Sequence, residues 1–62
     1  MQTNNKYWNK PLEELKIHCE SEILLFRYAI NRNNWEAARR HENELSLIMD
    51  AISANERGEL ND

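Results

Sequence analysis

Apolar residues recur at steps of three and four along most of this chain, the spacing that places side chains on one face of an α-helix. The clearest stretch is 33–57, where Asn33 and Glu36 have the spacing of a capping box. Gly58 follows at a position where helix ends favour a left-handed residue. We predict a helix over about 34–57 that buries one apolar stripe, with two polar residues completing its heptad positions. The stripe is Ala38, Leu45, Ile48, Met49 and Ile52, and the polar residues are His41 and Asn55.

An earlier helix is predicted over about 11–31. Pro11 suits the first helical turn, where its missing N–H costs nothing. Asn31 can take the left-handed conformation that ends a helix. The connection over 31–34 is short, which forces the two helices to lie antiparallel. One stripe of this helix is expected to face the other helix, with Ala29 at its edge: Leu12, Leu15, Cys19, Ile23, Phe26 and Ile30.

The first helix carries a second apolar set on roughly the opposite side, formed by Ile17, Leu24 and Tyr28. A helix that is apolar on two sides needs two neighbours, and a two-helix chain supplies only one. We therefore predict self-association into a homodimeric four-helix bundle. Leu47, which is expected to face away from the second helix's stripe, would join this interface. The same four residues are equally candidates for binding a different partner.

The remaining segments complete the predicted organisation. Residues 1–10 are expected to form a flexible arm in which Tyr7 and Trp8 pack on the hairpin. Trp35 is expected to close the core near the turn, and 58–62 to form a frayed acidic tail. The predicted fold class is all-α, an antiparallel two-helix hairpin that assembles as a homodimeric four-helix bundle.

Composition and charge narrow the class of protein. One glycine and one proline in 62 residues favour an all-helical chain, and a lone cysteine excludes an internal disulfide. Chains this short often need a partner subunit for stability. The formal net charge of −3 argues against unspecific binding to nucleic acid or to an anionic membrane. No stretch approaches the roughly 20 apolar residues of a membrane span. Without an apolar signal segment, the cytoplasm is the expected compartment.

The chemically reactive side chains do not form a catalytic or metal-binding pattern. The run His41-Glu42-Asn43-Glu44 begins like a zinc-protease helix, but Leu45 stands where the second histidine is required. His18, Cys19 and Glu22 lack the paired spacing of a zinc site, and Cys19 is expected in the core. We predict no enzyme, no cofactor and no metal. His41 is expected at the inter-helix seam, bonded to a carboxylate or to its symmetry mate, where it would make a dimer sensitive to pH.

Four arginines near the turn support an alternative function. Arg27, Arg32, Arg39 and Arg40 would form a basic patch at the tip of the hairpin. In a dimer, such a patch would suit a DNA-binding regulator. The same arginines are also explained by the dipole of the first helix and by ion pairs with Glu36 and Glu44. A helix-turn-helix reader normally has a third helix. Nucleic acid is therefore the second hypothesis, behind a protein partner.

Two resemblances bear on function. The run from Phe26 to Ala38 resembles the middle of a tetratricopeptide unit, where an aromatic and a small residue lie across a helix joint, although a single unit lacks neighbours to pack on. In size, acidity and helical content, the chain resembles the small accessory proteins of temperate lambdoid phage early regions, encoded between the recombination and excision genes. This resemblance implies a non-catalytic regulatory protein that binds a host or phage protein and biases lysis against lysogeny or host growth.

Overall fold

Two helices form the structure, a computed structural model that describes residues 5–58. Helix α1 is Leu12–Asn31 and helix α2 is Trp35–Glu56, and the two pack against each other as an antiparallel hairpin. No strand occurs in the described range, so the predicted all-α hairpin is confirmed. Residues 59–62 of the predicted tail, and residues 1–4 of the arm, lie outside the described residues.

The turn differs from its prediction at two positions: the left-handed residue is Asn33, where Asn31 was predicted, and the cap of α2 lies one residue later than predicted. Asn33 has φ 58°, in the left-handed region, so it reverses the chain and does not cap a helix. Asn34 is the N-cap of α2, and its side-chain oxygen accepts a hydrogen bond from the Ala37 N–H at 3.2 Å. The predicted capping box of Asn33 and Glu36 is therefore wrong. A tight turn needs one left-handed residue, asparagine tolerates that conformation, and the capping role passes to the next residue.

The far end of α2 follows its prediction. The helix ends at Glu56, and Gly58 has φ 78°. The Gly58 N–H donates to the Asn55 carbonyl at 3.0 Å, which satisfies one of the carbonyls left free at a helix end. Nothing lies within 4 Å of a Cβ built at this position, so the backbone conformation alone favours glycine.

The main core lies at the end of the hairpin away from the turn. Tyr7, Leu15, Ile48 and Ala51 are buried together there. Tyr7 belongs to the N-terminal arm, defined here as residues 5–10, so the arm supplies part of the core. Four partly buried side chains pack around this cluster: Trp8, Cys19, Leu47 and Ile52. Leu47, which was predicted to face away from the stripe of α2, is half-buried and packs against this cluster, and its part in an interface stays a prediction.

Small residues bring the helices together near the turn. Ala29 of α1 and Ala38 of α2 are both buried there. Trp35 does not close this end of the core, since it is 57% exposed. The prediction that Trp35 closes the core near the turn is therefore wrong, and two alanines occupy the buried positions there.

Helix α1 is rotated relative to the predicted stripe. Leu15 and Ala29 are buried and Glu22 is half-buried, whereas Ile23 and Ile30 are 39% and 36% exposed. A glutamate therefore lies at the inter-helix seam where an isoleucine was predicted. Met49 of α2 was also predicted in the buried stripe and is 58% exposed. Both helices thus turn part of their predicted stripes towards solvent.

Candidate protein interaction surfaces

Three large apolar side chains form a ridge along the back of α1. Ile17, Leu24 and Tyr28 are between 60% and 66% exposed. At 100° per residue they fall within a narrow sector opposite the buried positions Leu15 and Ala29. These residues were predicted to form an interface, and nothing within the described chain covers them. We call Ile17, Leu24 and Tyr28 the ridge.

Tyr28 is held in place at the turn end of the ridge. The Arg32 guanidinium donates to the Tyr28 hydroxyl at 3.2 Å and lies 5.3 Å from the centre of its ring. Both contacts join residues four apart at the end of α1, where such side chains are neighbours. The ring is therefore restrained in an exposed position, which lowers the entropy that a partner must remove on binding.

A second apolar surface spans both helices on one face of the hairpin. A groove of about 420 Å³ runs between the helices near the turn. Ile23 on α1, and Leu45 and Met49 on α2, each lie seven residues from a residue of the groove and so continue the same surface. The groove is lined by Phe26, Ile30, Trp35, Ala38, Arg39 and Glu42. We call the surface formed by Ile23, Phe26, Ile30, Trp35, Leu45 and Met49 the open face.

Polar residues separate the ridge from the open face. Lys16, Glu20 and Arg27 project from α1 between them, and all three are exposed. The two apolar surfaces are therefore distinct and can be occupied independently.

The opposite face of the hairpin is covered by the arm through a polar network. The Tyr7 hydroxyl donates to a Glu44 carboxylate oxygen at 2.5 Å, and the Lys6 ammonium lies 3.1 Å from the same oxygen. The Asn5 side-chain amide donates to the Leu47 carbonyl at 2.8 Å. The Tyr7 ring also packs at a tilt against the His18 ring, with 5.5 Å between centres. These contacts join the arm to both helices.

The network shifts two pKa values. Burial raises the pKa of Tyr7 to about 12, and the hydrogen bond to Glu44 adds to the rise by favouring the protonated phenol. The hydrogen bonds from Tyr7 and then Lys6 lower the pKa of Glu44, because both donors stabilise its carboxylate. The network is therefore arranged around one ionised carboxylate.

His41 lies at the seam and contacts Glu22. The His41 Nδ1 atom is 2.6 Å from a Glu22 carboxylate oxygen, and both side chains are largely buried. Two partners were predicted for His41, a carboxylate or the His41 of a second copy. Within the chain, His41 contacts a carboxylate. In the described part of the chain, no group of three or more histidine, cysteine, aspartate or glutamate side chains is placed to hold a metal ion.

The four arginines of the predicted basic patch lie on different sides of the hairpin tip. Arg39 lines the groove beside Glu42, whereas Arg32 is engaged with Tyr28 on the ridge. Arg40 diverges from Arg39 by 100° because the two are consecutive in a helix. Glu36 and Arg40, for which an ion pair was predicted, do not form one within residues 5–58. The basic patch stays a prediction.

Sequence reasoning identified the ridge but not the open face or the arm network. The open face could have been found from a second heptad register in each helix. The network could not, because Tyr7 and Glu44 are 37 positions apart and follow no shared pattern.

Comparison with known proteins found no matching family model, no matching curated protein and no matching solved structure. Neither helix within residues 5–58 is long and apolar enough to cross a membrane.

Proposed function

We propose that this protein is a small non-enzymatic protein–protein interaction module that acts as a homodimeric four-helix bundle and binds another protein through the ridge. The observation that carries the proposal is the exposure of Ile17, Leu24 and Tyr28, in line on one helix and uncovered by the chain. Isolated exposed apolar residues are common on protein surfaces. Three aligned large ones, one of them restrained by Arg32, are typical of a binding surface.

The ridge has the form of a helical ligand. Its residues are seven and four positions apart, which are the steps at which an amphipathic helix inserts anchors into an apolar groove. Tyrosine is among the residues that dominate binding energy when they are buried at an interface. The expected partner surface is therefore an apolar groove wide enough for one helix.

The resemblance to phage accessory proteins supports a regulatory role for this binding. On that basis, the partner is a host or phage protein in the cytoplasm whose activity the module modulates. The proposal requires no cofactor and no bound nucleic acid.

The test compares two variants that each add one negative charge at an exposed position. Leu24→Glu places the charge on the ridge, and Ser46→Glu places it on exposed α2 surface away from the ridge. Partners captured from host and phage-infected extracts by the wild-type protein would be purified and titrated against all three proteins by calorimetry. Far-UV circular dichroism would check that each variant remains helical.

We expect Ser46→Glu to bind like wild type and Leu24→Glu to lose at least about tenfold in affinity, because it removes apolar burial and introduces an unpaired charge. A purified partner that binds Leu24→Glu as tightly as wild type would contradict the role of the ridge.

A further inference from the structure

We infer that the open face is the surface through which two copies of this chain associate. The inference rests on the proposed function, which makes the protein a dimer, and it specifies which surface forms the dimer. It moves the dimer contact away from Ile17, Leu24 and Tyr28, and so leaves the ridge available for another protein.

The apolar residues of both helices lie in two rows. Each helix has one heptad row facing its neighbour and a second row facing the open side of the hairpin, with several residues shared between the rows. Such double rows are what a helix in a four-helix bundle requires, because it packs against two neighbours. The members of the second rows that are exposed or half-buried on the open face are Ile23, Phe26 and Ile30 in α1, and Trp35, Leu45 and Met49 in α2.

The core of the hairpin is small. The hairpin is one layer of helices, with extents of 41 × 23 × 14 Å, whereas stable domains bury a core between at least two layers. The arm covers only the face that carries Glu44 and Leu47. Leu15 and Ile48 are the largest fully buried side chains in the described chain. A second copy is the one partner always present at equal concentration, so it can supply the missing layer to every molecule.

The open face offers exposed apolar area to a second copy. Ile23, Ile30, Trp35 and Met49 are between 36% and 58% exposed. With side-chain areas on the order of 200 Å² each, these residues alone offer roughly 400 Å² per copy. A standard interface buries about 800 Å² per partner. The half-buried Phe26 and Leu45 and the exposed Arg39 and Glu42, three of which line the groove, add to this area.

The charged side chains of the groove are compatible with a second copy. Arg39 and Glu42 line the groove, and neither side chain has an ion-pair partner within the described residues. Because the groove carries one charge of each sign, two copies can meet without net repulsion, even though each chain has a formal net charge of −3. In a two-fold dimer, each copy offers the other the opposite charge.

The ridge is a weaker dimer surface. It belongs to one helix, is convex and is bordered by Lys16 and Glu20. The open face is concave at its groove, includes both helices and is continuous with half-buried residues of the core. Only the open face can therefore add a second layer to the existing core.

Two measurements test the inference. Sedimentation equilibrium from micromolar to millimolar concentration should give a mass near 15 kDa for wild type, twice the 7.4 kDa of one chain. Met49→Glu and its matched control Ile17→Glu replace apolar residues that are 58% and 66% exposed on the two surfaces. We expect Met49→Glu to weaken the dimer at least tenfold and Ile17→Glu to leave its Kd unchanged.

The second measurement uses the wild-type protein and so does not depend on any variant folding. Isotope-filtered NMR on a mixture of labelled and unlabelled chains reports methyl groups that touch the other copy. We expect intermolecular signals from the Met49 and Ile23 methyl groups. Signals confined to Ile17 and Leu24 would overturn the inference and leave the dimer itself standing. A monomer at all concentrations would overturn both, whereas partner binding through the ridge is tested separately by Leu24→Glu.

Discussion

Replacing Tyr7 with phenylalanine removes one hydroxyl and leaves the buried ring in place. In the wild type, that hydroxyl donates to Glu44 at 2.5 Å, and the ring packs against Leu15, Ile48 and Ala51. The substitution therefore isolates the hydrogen bond from the packing. Because the bond joins the arm to α2, its loss measures how strongly the arm is held on the hairpin.

The expected loss follows from the charge and exposure of Glu44. A hydrogen bond to a charged group contributes about 1.5–3 kcal/mol. Glu44 keeps its Lys6 contact at 3.1 Å, and its side chain is 28% exposed, so water can replace part of the lost bond. We expect a loss of about 1–2 kcal/mol in the free energy of unfolding. For a domain of this size, that lowers the melting temperature by roughly 5–15 °C.

The assay is urea unfolding followed by far-UV circular dichroism at one fixed protein concentration, since the proposed dimer would make stability depend on concentration. Glu44→Gln and the double variant complete a double-mutant cycle with Tyr7→Phe. We expect a coupling energy of about 1 kcal/mol between the two sites. A Tyr7→Phe protein within about 0.3 kcal/mol of wild type, or sites whose effects simply add, would refute the reasoning.

Four further predictions concern pH, the turn and the seam. Because the pKa of Tyr7 is raised from 10.0 to about 12, its contribution to stability should be complete below pH 10 and lost between pH 10 and 12. Thermal melts of Tyr7→Phe at alkaline pH should not show this decline. Because the pKa of Glu44 is lowered, its contribution to the free energy of unfolding should be present above the ordinary pKa of 4.5 and disappear as the pH falls through the pKa of the folded state. Glu44→Gln should remove that part of the loss of stability in acid. At the turn, Asn33→Gly should leave the melting temperature nearly unchanged, whereas Asn33→Val should cost about 1–2 kcal/mol, because φ is 58° there. At the seam, Glu22→Ala should lower the stability measured in urea, because it leaves His41 without its partner. The double variant Glu22→Leu, His41→Leu should recover most of this loss, and equal instability of the two proteins would contradict the prediction.

The helices were predictable from the sequence because their signals are local. The ends of α2 depend on a side-chain cap and a glycine with positive φ, and both are visible in the printed residues. The errors at the turn arose because 31–34 contains three asparagines, each able to cap or to turn. Local signals fix which segment reverses the chain, but not which of several similar residues does so.

The rotation of α1 was not predictable in the same way. Periodicity identifies an apolar stripe but not the neighbour that the stripe faces. The predicted stripe contained no charged residue, yet Glu22 lies at the seam. It can lie there because His41 of α2 contacts its carboxylate at 2.6 Å. His41 is 19 positions from Glu22 in the sequence, so no local pattern predicts the pair. The predicted stripe was nevertheless informative, since its exposed members Ile23 and Ile30 identify the open face.

The arrangement of the surfaces has a consequence for binding. The arm covers one face of the hairpin, the open face is proposed to receive a second copy, and the ridge points away from α2 on the outer side of α1. A dimer formed through the open face would therefore display two ridges, one on each copy. Two linked sites bind a dimeric or repeated partner more tightly than one site of the same affinity. Met49→Glu should accordingly weaken binding to such a partner while leaving the affinity of each separate ridge intact, whereas Leu24→Glu should lower the affinity of each ridge itself.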